Sequence, residues 1–238
     1  MNDVIQTRPV CVVAGVGPGN GEAFARRFAS EGYAVALLAR RKDRIDGLAR
    51  ELPNTRAYAC DLTDAASVEG AFAAFEAEVG PVDVLIFNAG KGVWGDVEHV
   101  TPAEFEEAWR VNALGLFLAA RRVIPAMTAA KRGAILVVGA TASLRGMVGT
   151  AAFASAKAAQ RSLTESLARN LWPKGIHVSL IIIDGVVGGP ETRKMIPDKP
   201  DEFFVKPEAV ADIALALVAQ NRSAWSFEVE ARPFSEKW

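Results

Sequence analysis

Three glycines near the start of the chain have a spacing that suits phosphate binding. Gly15, Gly19 and Gly21 lie between an apolar run and a helical pattern, with the spacing G-x-x-x-G-x-G. Glycines there let the backbone turn tightly and approach a pyrophosphate, which then lies on the N-terminus of the helix. An ordinary turn also explains an isolated glycine-rich stretch, but this placement favours a nucleotide site. The intervening residues that we expect to share the contact are Gly17, Pro18 and Asn20.

Basic residues follow the second apolar run, where a nucleotide site often carries an acid. That run ends at Ala39 and continues into Arg40, Arg41 and Lys42. An acid at this point holds the ribose hydroxyls of NAD, whereas an arginine can pair with the 2′-phosphate of NADP. The alternative is a solvated basic first turn of the next helix, which the helix dipole mildly disfavours. We therefore expect contacts from Arg40 and Arg41 and a preference for NADP(H), with NAD(H) as the alternative.

Several polar and aromatic residues could face a substrate. Thr141 and Ser143 follow the fifth apolar run and could hold a substrate oxygen, or could only satisfy backbone groups in a turn. Trp94 follows the fourth run and could line a pocket or merely pack. The two histidines, His99 and His177, have no partner at metal-ligand spacing, so we expect no metal site.

The elements that must position these residues alternate regularly along the chain. The β-branched runs are apolar on consecutive residues, which suits strands covered on both faces. Their alternation with amphipathic stretches predicts an α/β fold: a Rossmann-type three-layer αβα sandwich with a doubly wound, mostly parallel seven-stranded sheet. Such a sheet binds ligands beyond the carboxyl ends of its strands. The predicted strands cover 10–14, 34–39, 57–60, 82–87, 134–139, 178–183 and 227–230.

Amphipathic stretches between these runs predict the helices. Asp64 is the expected N-cap of the third helix. A polar, proline-punctuated stretch at about 186–206 suits a mobile lid over the substrate, within a single domain spanning 1–238. The predicted helices cover 21–30, 41–52, 65–79, 103–130, 150–172 and 207–220.

Composition excludes several classes of function. The 238 residues are 50% hydrophobic with a net charge of −1, so the chain can bury a core and carries no basic block for nucleic acid or an anionic membrane. Apolar runs such as 178–183 are too short to span a bilayer, and 1–9 lacks the apolar run of a secretory signal. We expect Cys11 and Cys60 to be buried thiols. We expect a cytoplasmic protein with neither nucleic acid nor membrane as partner.

Several ordered motifs make the whole chain resemble the short-chain dehydrogenase/reductase family. The glycine loop resembles the cofactor loop of that family, and the pair Asp61 and Leu62 resembles its adenine-holding pair. Asn112, within Val-Asn-Ala, matches its catalytic asparagine, which orients a proton-relay water. The resemblance implies a small-molecule carbonyl or alcohol substrate and a homodimer or homotetramer paired through the long helices. The matching segment that supports the sheet beside the adenosine half is Asn88, Ala89 and Gly90.

The catalytic positions of that family are altered here. Phe153 stands where the family has the proton-donating tyrosine of Tyr-x-x-x-Lys, while Lys157 keeps the lysine that binds the nicotinamide ribose. Ala140 stands where the family has a serine that holds the substrate oxygen. Gly185 and Val186, which follow Asp184 where the family often has Pro-Gly, are expected to contact the cofactor.

These substitutions leave three functions open. The leading hypothesis is an NADP(H)-dependent oxidoreductase acting on a carbonyl or alcohol, with an altered proton donor. Phe153 has no proton to give, and a positioned acid typically contributes about 10²- to 10⁴-fold in rate. The alternatives are a catalytically silent NADP(H)-binding protein, acting as a sensor or partner subunit, and a non-redox enzyme on the same fold.

Overall fold

The computed structural model describes residues 8–236. The first seven residues of the polar N-terminal segment and the last two residues of the chain lie outside the described part. Within residues 8–236, seven strands form one central sheet and two form a small separate ladder. In chain order they are β1 (Val10–Ala14), β2 (Ala34–Ala39), β3 (Thr55–Ala59), β4 (Val84–Phe87), β5 (Ala134–Ala140), β6 (His177–Ile183), β7 (Val186–Val187), β8 (Phe204–Val205) and β9 (Glu228–Ala231).

The central sheet is parallel throughout and doubly wound. Its strand order is β3-β2-β1-β4-β5-β6-β9, and each neighbouring pair is parallel. The chain runs outward from β1 to β3 and then returns to β4, so the switch point lies between β1 and β4. Every residue of β1 and β6 is buried, as their consecutive apolar residues predict. The predicted Rossmann-type fold is confirmed.

Helices cover both faces of this sheet. One face packs on Phe24 and Phe28 from the first helix and Val210 from the last, and the other packs on Phe72 and Leu116. The helices are α1 (Asn20–Ser30), α2 (Asp46–Glu51), α3 (Ala65–Val79), α4 (Pro102–Trp109), α5 (Gly115–Ala130), α6 (Ala151–Leu171), α7 (Pro190–Met195) and α8 (Pro207–Val218).

Two predicted helices differ from the structure. The stretch predicted as 41–52 forms a 3-10 turn at Lys42–Arg44 and then the short α2, because this polar segment places only Ile45 fully in the core. The helix predicted as 103–130 contains a π-turn at Arg110–Leu114 between α4 and α5. There Gln160 Nε2 donates to the Asn112 carbonyl at 3.1 Å, and Asn112 Nδ2 donates to the Ala108 carbonyl at 2.8 Å. These side-chain bonds compete with the regular helical pattern.

The helical stretch Pro102–Ala130 has the length and composition of a membrane-crossing helix. It is 29 residues long, and an 18-residue window within it has a mean hydropathy of 1.3. The shorter apolar runs considered in the sequence did not predict this. In the fold, Leu116, Ala119 and Val123 from this stretch are buried in the core beneath the sheet. Core packing therefore accounts for part of its apolar composition, since 39% of the apolar window is buried.

The stretch predicted as a lid, about 186–206, is folded and fastened to the end of the described chain. Its strands β7 and β8 pair with each other, with α7 between them in the chain, and Arg193 pairs with Asp201 at 2.5 Å. A Cβ on Gly185, whose φ is +153°, would lie 2.8 Å from Pro233 Cδ. Ser235 Oγ also donates to the Glu202 carbonyl at 3.1 Å. Whether this segment moves as a lid stays a prediction.

Candidate active site

A cavity of about 810 Å³ opens at the carboxyl ends of β1 to β4. This is the edge at which a doubly wound sheet binds its ligand, and the cavity spans the switch point between β1 and β4. Most of the residues predicted to bind a nucleotide meet on its wall. These are Gly15, Gly17, Pro18, Asn20, Gly21, Arg40, Asp61, Leu62, Asn88, Ala89 and Gly90.

The glycine loop is shaped by backbone contacts that a side chain would prevent. Gly15 has a φ of +93°, and a Cβ there would lie 2.5 Å from the Ala89 backbone. Asn88 Nδ2 donates to the Gly15 carbonyl at 2.8 Å, which ties the loop to the end of β4. Gly17, in contrast, has open space where a Cβ would project. A ligand can therefore approach the loop backbone at Gly17.

The N-terminus of α1 faces this loop. Gly19 is the N-cap residue and supplies no side-chain acceptor. The Glu22 N–H donates to the Gly17 carbonyl at 3.2 Å, so the N–H groups of Asn20 and Gly21 are the first-turn donors available for another acceptor. Asn20 Oδ1 is buried without a hydrogen-bond partner among the described residues. These features fit a phosphate-bearing ligand that also offers a hydrogen-bond donor.

The far end of the cavity has opposite charges close together. Asp61 Oδ1 accepts hydrogen bonds from Thr63 N at 2.9 Å and Thr63 Oγ1 at 2.8 Å. The bond from the Thr63 N–H lowers the pKa of Asp61, and the nearby charges of Arg40 and Arg110 lower it further. Asp61 is therefore held as a carboxylate, while Arg40 is exposed on the cavity wall.

The cavity is also lined by residues that were not predicted from the sequence. Val187 lines it, one position after the predicted pair Gly185 and Val186, and the outer turns of α4 approach it from the side. Proximity to a strand end could have indicated the missed residues that lie at or just after the ends of β1, β2, β3 and β4, whereas the sequence gives no such signal for those on α4 and the π-turn. Gly19, Arg41, Lys157, Gly185 and Val186 lie outside the wall. The unpredicted lining residues are Val16, Ala39, Cys60, Thr63, Lys91, Ala103, Glu106, Glu107, Arg110, Val111 and Val187.

Lys157 is buried and bonded within the protein. Its side chain on α6 is 5% exposed, and Nζ donates to the Val138 carbonyl at 3.0 Å and to Gln160 Oε1 at 2.9 Å. Burial lowers the pKa of Lys157 from 10.5 to about 7. Near neutral pH this amine therefore exchanges between its charged and neutral forms.

Hydrogen bonds of Gln160 link Asn112 to Lys157. In the π-turn, Asn112 Nδ2 donates to the carbonyls of Lys91 and Ala108, and Asn112 Oδ1 is buried without a partner among the described residues. A Cβ on Gly90 would lie 3.4 Å from Asn112 Oδ1 and 3.6 Å from Lys157 Nζ. The structure thus brings Gly90, Asn112 and Lys157 together. Gln160 was missed, although it lies on the same face of α6, one turn after Lys157.

The hydroxyls near Ala140 are bonded internally. Ser143 Oγ donates to the Ala140 carbonyl at 2.7 Å. Thr141 Oγ1 lies 2.5 Å from Asp184 Oδ1 and 3.2 Å from the Ile183 carbonyl. Ser143 thus bonds a backbone carbonyl in its own turn, whereas Thr141 bonds across to the end of β6. Whether either hydroxyl holds a substrate oxygen stays a prediction.

Phe153 forms an aromatic pair with Trp94. Their ring centroids lie 5.0 Å apart with an interplanar angle of 47°. Trp94 is 70% exposed, Phe153 is half-buried, and Lys157 Nζ lies 6.0 Å from the Phe153 centroid. An open aromatic surface therefore adjoins the cluster of Gly90, Asn112 and Lys157.

Comparison with known proteins identifies the family of the chain. The family described as short chain dehydrogenase matches residues 9–198. The chain belongs to this family. This short-chain dehydrogenase is 33% identical over 204 residues to the 2-(R)-hydroxypropyl-CoM dehydrogenase of Xanthobacter autotrophicus. The alignment covers 81% of this chain and 79% of that protein. It is 30% identical to the meso-2,3-butanediol dehydrogenase of Serratia marcescens, covering 90% and 88%.

Solved structures agree with this assignment. The short-chain dehydrogenase superposes on an alcohol dehydrogenase from the archaeon Thermococcus sibiricus, complexed with 5-hydroxy-NADP, with a TM-score of 0.87 and 27% identity. That match covers 97% of this chain and 98% of the other. A metagenomic short-chain oxidoreductase in complex with NADP gives a TM-score of 0.82 at 29% identity, covering 96% and 98%. The chain therefore has the fold and family of an oxidoreductase.

Proposed function

We propose that this short-chain dehydrogenase transfers a hydride between NADP(H) and a small carbonyl or alcohol substrate, with an altered proton donor. The observation that carries the proposal is the cavity that joins the glycine loop, Arg40, Asp61 and Asn88 at the switch point of the sheet. The solved relatives complexed with NADP or 5-hydroxy-NADP support the choice of cofactor. NAD(H) is the second candidate.

The residues present fit such a cofactor. The open face at Gly17 and the glycine N-cap of α1 suit a pyrophosphate, and the exposed Arg40 suits a 2′-phosphate. Asp61 and Leu62 would flank the adenine, and Val187 would reach the nicotinamide end. When bound, the cofactor supplies or accepts the hydride.

The chain's own residues limit how a proton can move. Lys157, with its pKa near 7, can take either charge state at neutral pH and stabilises the site through Val138 and Gln160. Asn112 Oδ1 offers a buried acceptor to a ligand or water. Phe153 cannot donate a proton, which removes a contribution of about 10²- to 10⁴-fold for an ordinary ketone.

Two other functions stay open because of this limit. A catalytically silent NADP(H)-binding protein, acting as a sensor or partner subunit, is supported by the internal bonding of Thr141 and Ser143. A non-redox enzyme would use the same cavity. We also propose a homo-oligomer, and a cytoplasmic location in keeping with the free, buried Cys11 and Cys60.

One experiment separates these functions. Calorimetric titration with NADPH and NADH would be run beside an NADPH-oxidation assay over a panel of aldehydes, ketones and diketones. We expect NADPH to bind more tightly than NADH and at least one carbonyl compound to be reduced. Binding without turnover across the panel would favour the silent protein, and absence of binding would contradict the proposal.

A further inference from the structure

Proton donors around Phe153 are bonded elsewhere in the described part of the chain. Thr141 Oγ1 bonds to Asp184 at the end of β6, and Ser143 Oγ donates to the Ala140 carbonyl at 2.7 Å. Ser155 Oγ donates to the Ala151 carbonyl at 2.7 Å. The tyrosines lie in the nucleotide-binding half, where Tyr33 packs on Phe28 and Tyr58 on Phe75. Among the described residues, a substrate at Phe153 therefore meets no free hydroxyl group placed to protonate a new alkoxide.

The same place offers an aromatic surface instead. Phe153 and Trp94 stand 5.0 Å apart at 47°, with Trp94 largely exposed. The faces of such rings attract cations, and Lys157 Nζ already lies over the Phe153 ring at 6.0 Å. Because burial lowers the pKa of Lys157 to about 7, its amine is largely neutral at mildly alkaline pH and would then not repel a second cation.

We infer that the preferred substrate of this site is a cationic C=N compound, an iminium ion, held against Phe153 and Trp94. The inference rests on the proposed hydride-transfer function and specifies its substrate class. In the reaction the iminium carbon gains a hydride with its two electrons, the C=N π pair moves to nitrogen, and NADPH becomes NADP⁺. The product is a neutral amine. No proton enters the reaction, so Phe153 at the tyrosine position is no obstacle.

The central test compares two substrates of similar shape with the full-length protein and NADPH. N-methyldihydroisoquinolinium carries a permanent charge, and tetralone is a neutral ketone of the same bicyclic form. We expect kcat/KM for the iminium to exceed that for tetralone by about 10²-fold or more, which is the contribution that a missing general acid withholds from the ketone. Iminium reduction should also proceed at the same rate in H₂O and D₂O.

Variants separate the two features of the site. Phe153→Tyr restores a hydroxyl and should raise tetralone reduction without raising iminium reduction. Phe153→Leu removes the ring and should raise KM for the iminium about fivefold or more. Phe234→Leu, which changes an 89% exposed phenylalanine after β9, is the control and should leave kcat/KM for both substrates unchanged.

A binding measurement tests the cation site without turnover. N,N-dimethyltetrahydroisoquinolinium cannot accept a hydride, so calorimetry with NADPH-loaded protein measures its affinity alone. We expect Phe153→Leu to weaken this affinity about fivefold or more while NADPH affinity is unchanged. If tetralone were reduced as fast as the iminium or faster, or if neither substrate were reduced, the inference would be wrong. Binding of NADPH in the same experiment would still support the cofactor assignment. Failure to bind NADPH would overturn both.

Discussion

Arg40 is the residue on which cofactor choice depends. It lies exposed on the cavity wall, whereas its neighbour Arg41 lies outside the wall and pairs with Asp43 at 3.5 Å. Both arginines were predicted from sequence to contact the cofactor, with Arg40 in the position of the usual acid. The structure distinguishes them because the end of β2 directs only Arg40 to the cavity.

Arg40→Asp should reverse the preference for NADPH over NADH. A carboxylate repels the 2′-phosphate and can hold the ribose hydroxyls of NADH, so we expect a change of at least about tenfold, or about 1.4 kcal/mol, in relative affinity. Calorimetric titration of both cofactors measures it. Arg41→Asp is the matched control and should leave the preference in place. Similar affinities for NADPH and NADH in the unaltered protein would count against the proposed role.

Lys157 should make stability depend on pH. Its folded pKa of about 7 lies below its usual value of 10.5, so between these values the unfolded chain binds more protons than the folded protein. This residue therefore makes the free energy of unfolding rise with pH through that window, with a slope of at most about 1.4 kcal/mol per pH unit.

Lys157→Met tests this linkage by removing the titrating group. Urea unfolding at pH 7 and pH 9 should show a gain in stability for the unaltered protein that the variant lacks. The variant should also be less stable at pH 9, by about 1–3 kcal/mol, because the Val138 carbonyl and Gln160 Oε1 lose their donor. Parallel pH profiles for the two proteins would show that Lys157 is charged throughout.

At the scale of elements, the glycine loop combines two different requirements. Gly15 must be small because the backbone of Ala89, in the segment after β4, lies against it. Gly17 faces open space where a ligand would approach. The loop therefore depends on one glycine for the fold and on another for the ligand. Two alanine variants can separate these roles.

Gly15→Ala should destabilise the protein, and Gly17→Ala should not. At Gly15 the added Cβ meets the Ala89 backbone at 2.5 Å on a positive φ, so we expect a loss of more than about 2 kcal/mol in urea unfolding. At Gly17 the fold should stay within about 0.5 kcal/mol, while NADPH affinity falls by about tenfold. A Gly17→Ala variant with unchanged NADPH affinity would mean that the phosphates lie elsewhere.

The secondary-structure elements could be predicted from the sequence where their signals are local. They could not be predicted where their form depends on contacts with a distant segment of the chain. The strands β1 and β2 and the helix α3 with its Asp64 cap were found at their observed bounds, because apolar runs and the cap are local signals. The π-turn was not found, since it depends on Gln160 of another helix. For the same reason the motif located Lys157 but not its inward hydrogen bonds, and only the fold shows that Val187 reaches the cavity.

At the scale of the whole molecule, apolar side chains are exposed along the stretch that contains α4 and α5. Phe105, Trp109 and Phe117 are 44%, 43% and 45% exposed, although most of their neighbours on the sheet side are covered. Such residues suit an interface between copies of the chain. They support the homodimer or homotetramer expected from the resemblance.

Trp109→Glu should convert the expected oligomer into monomers. A carboxylate at the centre of an apolar interface leaves an unpaired buried charge, which typically costs several kcal/mol. Light scattering coupled to size exclusion measures the mass of each species. Val97→Glu, on an 83% exposed residue outside these helices, is the control and should keep the mass of the unaltered protein. A monomeric unaltered protein would remove the basis of this expectation.

The close packing of Gly185 against Pro233 gives the end of the described chain a part in holding the loop after β6. The residues that line the cavity lie between Gly15 and Val187, whereas the contacts that secure this loop come from β9, Pro233 and Ser235. A chain shortened just before Pro233 would therefore keep every residue of the cavity lining and lose the contacts that Pro233 and Ser235 make with this loop.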